Sequence, residues 1–395
     1  MSGGTRLAIV DSHPIQYHVP WIRGLAQACD LTVFYAHQPS TKDQAAAGYG
    51  VGFEWDVDLL SGYRSVMLEN VAREPNVFEL GGCDTPEIDT RLRRGRFDTV
   101  IVTGWYLKSY WQAILCCRRQ GIPLLVRGDS HLETPRGLAK RLGKELVYPR
   151  MLRLFDAFLC VGWRNREYLQ HYGVPEERIF DAPHFVDNAF FRERSHLTSD
   201  ERQAQRSEWG TRPGDAVVLF VGRFAELQRT HDVIDALAEL GRRTARGWLA
   251  VFVGAGEPEA ALRAQAERLG VRAVFVGFKN QSELPRIYAA ADVLVLPSAH
   301  ETWGLVVNEA MACGTPAVVS SEVGCAPDMI EPGRTGEVFE MGDVQALAAA
   351  LERVVAGEPE QIREALAAKV GAYSCGRAVE GTLEAVRAVV RAGRA

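Results

Sequence analysis

Short runs of apolar, often β-branched residues recur along the chain, separated by longer stretches with helical spacing. Leu7-Ala8-Ile9-Val10, Leu31-Thr32-Val33-Phe34-Tyr35, Thr99-Val100-Ile101-Val102, Pro123-Leu124-Leu125-Val126 and Phe158-Leu159-Cys160-Val161 read as buried strands. A helix is expected from about Leu107 to Arg119. A second series opens at Val217-Val218-Leu219-Phe220-Val221. It continues through strands at 249–253, 273–276, 293–296, 317–320 and 336–339, with helices between them. This alternation predicts an α/β protein with parallel sheets and crossover helices. Residues 40–80 are rich in Gly, Asp and Glu and show no clear period. Residues 188–215 are charged and weakly patterned, which marks a connection between two domains. The expected division is 1–190, a linker at 191–215, 216–373, and a closing helix at 374–395 with Val379, Leu383, Val386 and Val390 on one face.

The richest chemistry lies between Ser298 and Gly314. The strand at 293–296 leads into a turn containing Glu301, and a helix is expected from near Gly304 to Gly314. Glu309 falls about one and a half turns inside that helix. A helix N-terminus presents unpaired N–H groups and partial positive charge, which suits phosphate. An ionised carboxylate only accepts hydrogen bonds and so suits sugar hydroxyls. Phosphate flanked by polyols is the shape of a nucleotide sugar.

The 395 residues favour two domains. A formal net charge of −5 gives no general reason to expect nucleic acid. No apolar run is long enough to span a bilayer, and no signal peptide is visible. Eight scattered cysteines, without a C-x-x-C pair or metal-ligand spacing, suggest reduced thiols in a cytoplasmic protein; Cys116-Cys117 reads as core. A basic stretch runs from Arg136 through Lys140, Arg141, Lys144, Arg150 and Arg153, with Leu138, Leu142 and Leu146 at four-residue spacing. Such a segment suits either an anionic membrane surface or a helix with its leucines in the core, interrupted at Pro149; the second is favoured.

The segment with Pro297-Ser298, Glu301, Gly304-Leu305, Glu309-Ala310, Ala312 and Gly314-Thr315-Pro316 resembles the signature of the family-4 retaining glycosyltransferases, of GT-B fold. Trp303 stands where the family usually has Phe. Weaker likeness runs from about Arg6 to the terminal helix, which in the family crosses back onto the first domain. The resemblance implies two Rossmann-like domains facing across a cleft, with the nucleotide-sugar site in the second. It implies retention of anomeric configuration and no metal or other cofactor. Arg223, after Gly222, would stabilise the departing diphosphate. Glu301 would hold the transferred sugar and Glu309 the ribose. N–H groups near Trp303, Gly304 and Leu305 would face the donor, and Phe278 the nucleobase. The family's Lys five residues after the Arg is replaced by Gln228, followed by Arg229, which is the candidate substitute. In the first domain His131 is the nearest match to the family's His, and His13, Gln16 and Asp129 are acceptor-side candidates.

The resemblance implies transfer of a sugar from a nucleoside diphosphate sugar, UDP-linked by family frequency, to an unknown hydroxylated acceptor. The Gln228 change keeps open a catalytically silent nucleotide-sugar binder, and an epimerase of the same architecture is a third reading. Asp56-Val57-Asp58 has the form of a metal-binding pair from another fold but follows no suitable βα unit. Val253-Gly254-Ala255-Gly256 is a partial dinucleotide fingerprint without its last Gly, and weak alone.

Overall fold

Apolar strands that are buried on both faces must be covered by helices on both sides, and the chain does this twice. A computed structural model describes residues 4–39, 52–133 and 137–393. It divides into two units, one drawn from residues within 1–40, 58–184 and 375–395, the other from those within 41–57 and 185–374.

The first unit holds a seven-stranded sheet: β1 (Arg6–Asp11), β2 (Asp30–Tyr35), β3 (Arg64–Met67), β4 (Thr99–Val102), β5 (Leu124–Gly128), β6 (Ala157–Cys160) and β7 (Ile179–Asp181). Their order is β3-β2-β1-β4-β5-β6-β7, and every pairing is parallel. The edge strands β3 and β7 were not visible as apolar runs, because each is short and partly exposed. Cys116 and Cys117 are fully buried in this unit's core. The closing helix Cys375–Ala392 packs on the helix Val19–Ala28 and on β6 and β7. Its contact face is Ala378, Gly381, Thr382, Ala385, Val386 and Val389, so small residues take the centre of the face expected from Val379, Leu383 and Val390. A Cβ on Gly381 would sit 1.8 Å from the Asp181 carbonyl oxygen, and Trp21 Nε1 donates to Thr382 Oγ1 at 3.0 Å.

The basic stretch is a helix, Leu138–Met151, with Pro149 inside it. Proline removes one backbone donor, yet here it falls in the last turn, where the chain passes into the 3₁₀ turn Leu152–Leu154. The expectation that its leucines face the core is overturned. Leu142 and Leu146 are 63% and 68% exposed. The inward positions belong to Lys144, whose Nζ donates to the Tyr168 hydroxyl at 3.2 Å, and to Tyr148. Arg136 and the side chains of Leu138 and Lys140 lie outside the described residues.

The second unit holds six parallel strands: β8 (Ala216–Val221), β9 (Trp248–Val253), β10 (Ala273–Gly277), β11 (Val293–Leu296), β12 (Ala317–Ser320) and β13 (Gly336–Phe339). Their order is β10-β9-β8-β11-β12-β13. Residues 188–208, read as part of the linker region, form two helices of this unit, Asn188–Arg194 and Ser199–Glu208. In both sheets the chain builds outward in one direction and then reverses. The reversal lies between β1 and β4 in the first unit and between β8 and β11 in the second. Open parallel sheets form ligand crevices at the carboxyl ends of the strands flanking such a reversal.

Candidate active site

In the second unit the two flanking strands end at Val221 and Leu296, and the segments leaving them carry most of the candidate residues. Val253-Gly254-Ala255-Gly256 explains the local shape. A Cβ on Gly254 would lie 1.9 Å from the Gly222 carbonyl oxygen, and one on Gly256 1.9 Å from that of Phe224. These glycines let two strand exits touch. They are steric requirements and not a dinucleotide fingerprint. Phe224 is buried against Phe220, Phe252 and Phe275, which fixes the backbone on either side of the exposed Arg223.

The 3₁₀ turn Glu226–Gln228 is tied to the β11 exit by Ala299 N donating to the Leu227 carbonyl at 2.7 Å. Ser298 Oγ donates to Gln228 Oε1 at 2.6 Å, and Gln228 Nε2 lies 3.5 Å from Glu301 Oε2. Gln228 therefore sits beside Glu301 with its amide oriented by Ser298. Arg229 is directed elsewhere. It adopts a left-handed backbone (φ 49°), and its guanidinium makes a two-point contact with Asp232 at 2.7 and 2.9 Å. Asp232 is buried and also meets His231 at 3.1 Å. A fork–fork pair of this kind holds the arginine in one place. The structure brings Gln228, not Arg229, to the carboxylate, so the charge substitution expected of Arg229 would require this pair to break.

Glu301 is half-buried and pinned by its main chain, which bridges Val323; its carbonyl accepts Gly324 N at 2.9 Å. Gly304 then turns at φ 97°, where a Cβ would meet Leu296 at 2.9 Å, and the helix Leu305–Ala312 begins. Trp303 is buried, and its Nε1 donates to Asn308 Oδ1 at 2.8 Å, so its ring anchors the helix start while the main chain of Trp303, Gly304 and Leu305 forms the turn. Glu309 is completely enclosed, and its Oε2 accepts the Tyr288 hydroxyl at 2.6 Å. A ribose would reach this carboxylate only if the side chains enclosing it gave way; one of its acceptor sites is already taken by Tyr288, a residue of the helix Leu284–Ala290 that sequence reasoning missed. Phe278 follows the positive-φ Gly277 and packs on Phe53 at 4.3 Å between ring centroids. Asp56 receives Ser282 N, and Asp58 caps its own turn through Leu60 N and Ser61 N, so each carboxylate has a structural task.

In the first unit the polar corner lies at the β1–β4 reversal. Asp11 is buried; its Oδ1 accepts Ser12 N (2.8 Å) and Thr103 Oγ1 (2.7 Å), and its Oδ2 lies 2.7 Å from His18 Nδ1. Burial pushes the Asp11 carboxyl up, but the partners His18 and Thr103 outweigh it and leave it below the usual range. Sequence reasoning missed this pair; the only signal was a charged residue closing an apolar strand. His13 is partly exposed, with Nδ1 2.9 Å from Ser12 Oγ, and Gln16 lies partly exposed in the same loop. Arg127, at the end of β5, is buried, and burial pushes it down to about 10. It donates to the carbonyls of Ala182 and Pro183 and faces the Trp21 ring. Asp129 is exposed, whereas His131 is 1% exposed, with Nδ1 3.7 Å from Glu133.

Comparison with known proteins fits this arrangement. Residues 201–370 match the family model described as "Glycosyl transferases group 1". A D-inositol 3-phosphate glycosyltransferase of Nocardia farcinica is 27% identical over 304 residues, which is 73% of this chain and 64% of that protein. Its counterpart in Segniliparus rotundus is 32% identical over 57% of this chain and 50% of its own length. The alignments thus span between half and two thirds of these relatives. Among solved structures, Anabaena Alr3699/HepE in complex with UDP superimposes over 97% of this chain with a TM-score of 0.74 at 17% identity. A glycosyltransferase from Rickettsia africae does so over 98% with a TM-score of 0.73 at 13% identity. At such identities the likeness establishes the fold, which is GT-B.

Proposed function

Through residues 201–370 the chain belongs to the group 1 glycosyltransferases, and from that premise we propose that it moves a sugar from a nucleoside diphosphate sugar to a hydroxylated acceptor. The reading includes retention of configuration, a UDP-linked donor and no metal requirement. One observation carries it: Arg223 and Glu301 leave the two adjacent strands β8 and β11 at the sheet's reversal point, beside the N-terminus of the helix Leu305–Ala312. A cation, a hydroxyl-binding carboxylate and a helix N-terminus at one crevice suit a leaving diphosphate joined to a sugar. Asp11, His13, Gln16, Asp129 and His131 in the first unit are the acceptor-side candidates, with Arg223, Glu301 and His131 proposed for the chemistry itself.

The deciding experiment is a thermal-shift panel of UDP-, GDP-, ADP- and dTDP-sugars beside their bare diphosphates, followed by turnover in a chelator. Stabilisation by one nucleotide, graded by sugar, and undiminished turnover without metal are expected. A strict need for Mg²⁺ or Mn²⁺ would remove the metal-free part of the reading. The neutral Gln228 and the engaged Arg229 favour a second reading, a nucleotide-sugar binder without turnover; binding with neither transfer nor hydrolysis across a broad acceptor panel would select it.

The buried Glu309–Tyr288 pair gives a sharper test of the ribose site. Glu309→Ala should weaken binding of the bare nucleotide about tenfold, the scale of one hydrogen bond to a charged group. Tyr288→Phe should act oppositely, tightening the nucleotide a few-fold because a competing hydroxyl is gone. The same change should lower the melting temperature, since a buried carboxylate loses its donor. Calorimetric titration reads both, and an unchanged affinity in Glu309→Ala would refute the ribose assignment.

A further inference from the structure

We propose that the outer face of the helix Leu138–Met151 is a docking surface for an anionic lipid bilayer. Leu142, Leu146 and Val147 are 63%, 68% and 57% exposed on that face, and Trp163, at the start of the neighbouring helix Trp163–His171, is 56% exposed. Leucines four residues apart stand one above the other on a helix, so Leu142 and Leu146 form a continuous ridge. The helix cannot roll to bury them without losing its inner contacts. Lys144 is held by the Tyr168 hydroxyl and the Tyr148 ring, Tyr148 packs on Tyr172, and Glu145 meets His171 at 3.0 Å.

Charge selects the partner. Residues 136–153 contain six Lys and Arg and one Glu, a net of +5, while the whole chain is −5, which leaves −10 for the remainder. Arg141, Arg150 and Arg153 are exposed, and Glu145, the one acid, is paired with His171. A second copy of the chain is disfavoured as occupant, because a twofold contact would set this net positive segment against itself. An anionic membrane surface satisfies both features. It accepts the leucine ridge at the acyl boundary and attracts the arginines, each cation contributing appreciably near such a surface. No helix among the described residues is long and apolar enough to cross a membrane, so the contact is one of lying on the surface.

The test is co-sedimentation of the full chain with vesicles of phosphatidylcholine alone or with about one quarter phosphatidylglycerol, at low and high salt. Wild type should partition onto the anionic vesicles, with roughly tenfold loss at high salt and little binding to neutral ones. The double variants Leu142→Gln/Leu146→Gln and Arg150→Gln/Arg153→Gln should each lose about tenfold or more. The leucine variant should keep its melting temperature, because its side chains already face water. Absence of binding, equal binding to neutral vesicles, or binding untouched by both double variants would overturn the proposal. So would wild type eluting as a dimer that Leu142→Gln/Leu146→Gln dissociates, which would assign the face to a protein contact.

Discussion

Arg223→Ala should lower kcat/KM by about 100-fold or more, the range expected when one preorganised donor to a developing charge is removed. Cleaving a sugar–phosphate bond builds negative charge on the departing diphosphate, and a fixed cation lowers the barrier only if it is already in place. The structure supplies the fixing. Phe224 is buried among three aromatic rings, and the adjacent strand exit approaches through Gly254 and Gly256, so the backbone around Arg223 has little freedom. The neighbouring side chains add no second cation for the task as they stand, since Gln228 can offer only a neutral amide donor and Arg229 is clamped by Asp232. Steady-state kinetics with the donor chosen by the thermal-shift panel would measure the effect. The loss should fall mainly on kcat, because charge develops after binding, and Arg223→Lys should recover part of it. A loss below tenfold would move the leaving-group role away from this residue.

The second unit was almost fully legible in the sequence. β8, β9, β11 and β12 appear as apolar runs because both faces of each are covered, whereas the edge strands β10 and β13 are only partly buried and β13 carries Glu337 and the exposed Val338. The exceptions to that legibility share a physical cause: elements held by polar contacts carry no hydrophobic period. In the helix Ser199–Glu208 only Arg206 is buried, and its guanidinium is taken by Asp292 at 3.0 Å. A sequence signal did exist, the Thr198-x-x-Glu201 capping box, which the structure forms. The helix Leu138–Met151 failed in the opposite sense. Its leucine spacing is helical, but Lys144 and Tyr148 occupy the inner face, so periodicity gave the element and not its orientation. At the site, the family resemblance pointed to Arg223 and Gln228, and the Glu301–Glu309 spacing together with that resemblance pointed to Glu301, whereas partners distant in sequence had no local signature. Tyr288 on Glu309 and Thr103 on Asp11 are of that kind.

Glu301→Ala should abolish most sugar transfer, by about 100-fold or more in kcat/KM, while affinity for the bare nucleotide diphosphate stays within twofold of wild type. The separation follows from where the carboxylate sits. Its main chain is fixed between the β11 exit and Val323-Gly324, and the side chain extends beside Gln228 rather than into the enclosed region of Glu309. On the proposed reading, an ionised carboxylate there would accept hydrogen bonds from sugar hydroxyls and fix the ring relative to Arg223, and the nucleotide end of the donor would not need it. Removing it should also free the Gln228 amide, which keeps only the Ser298 hydroxyl as partner and can then turn. Glu301→Gln should therefore be nearly as inactive as the alanine variant, because an amide placed against the Gln228 amide offers the sugar fewer acceptor sites and no charge. Titration of each variant with bare nucleotide and with nucleotide sugar reads the two ends separately. If Glu301→Ala weakened both ligands alike, the carboxylate would be supporting the fold of the turn rather than holding the sugar. An unchanged melting temperature alongside selective loss of transfer would place it on the sugar.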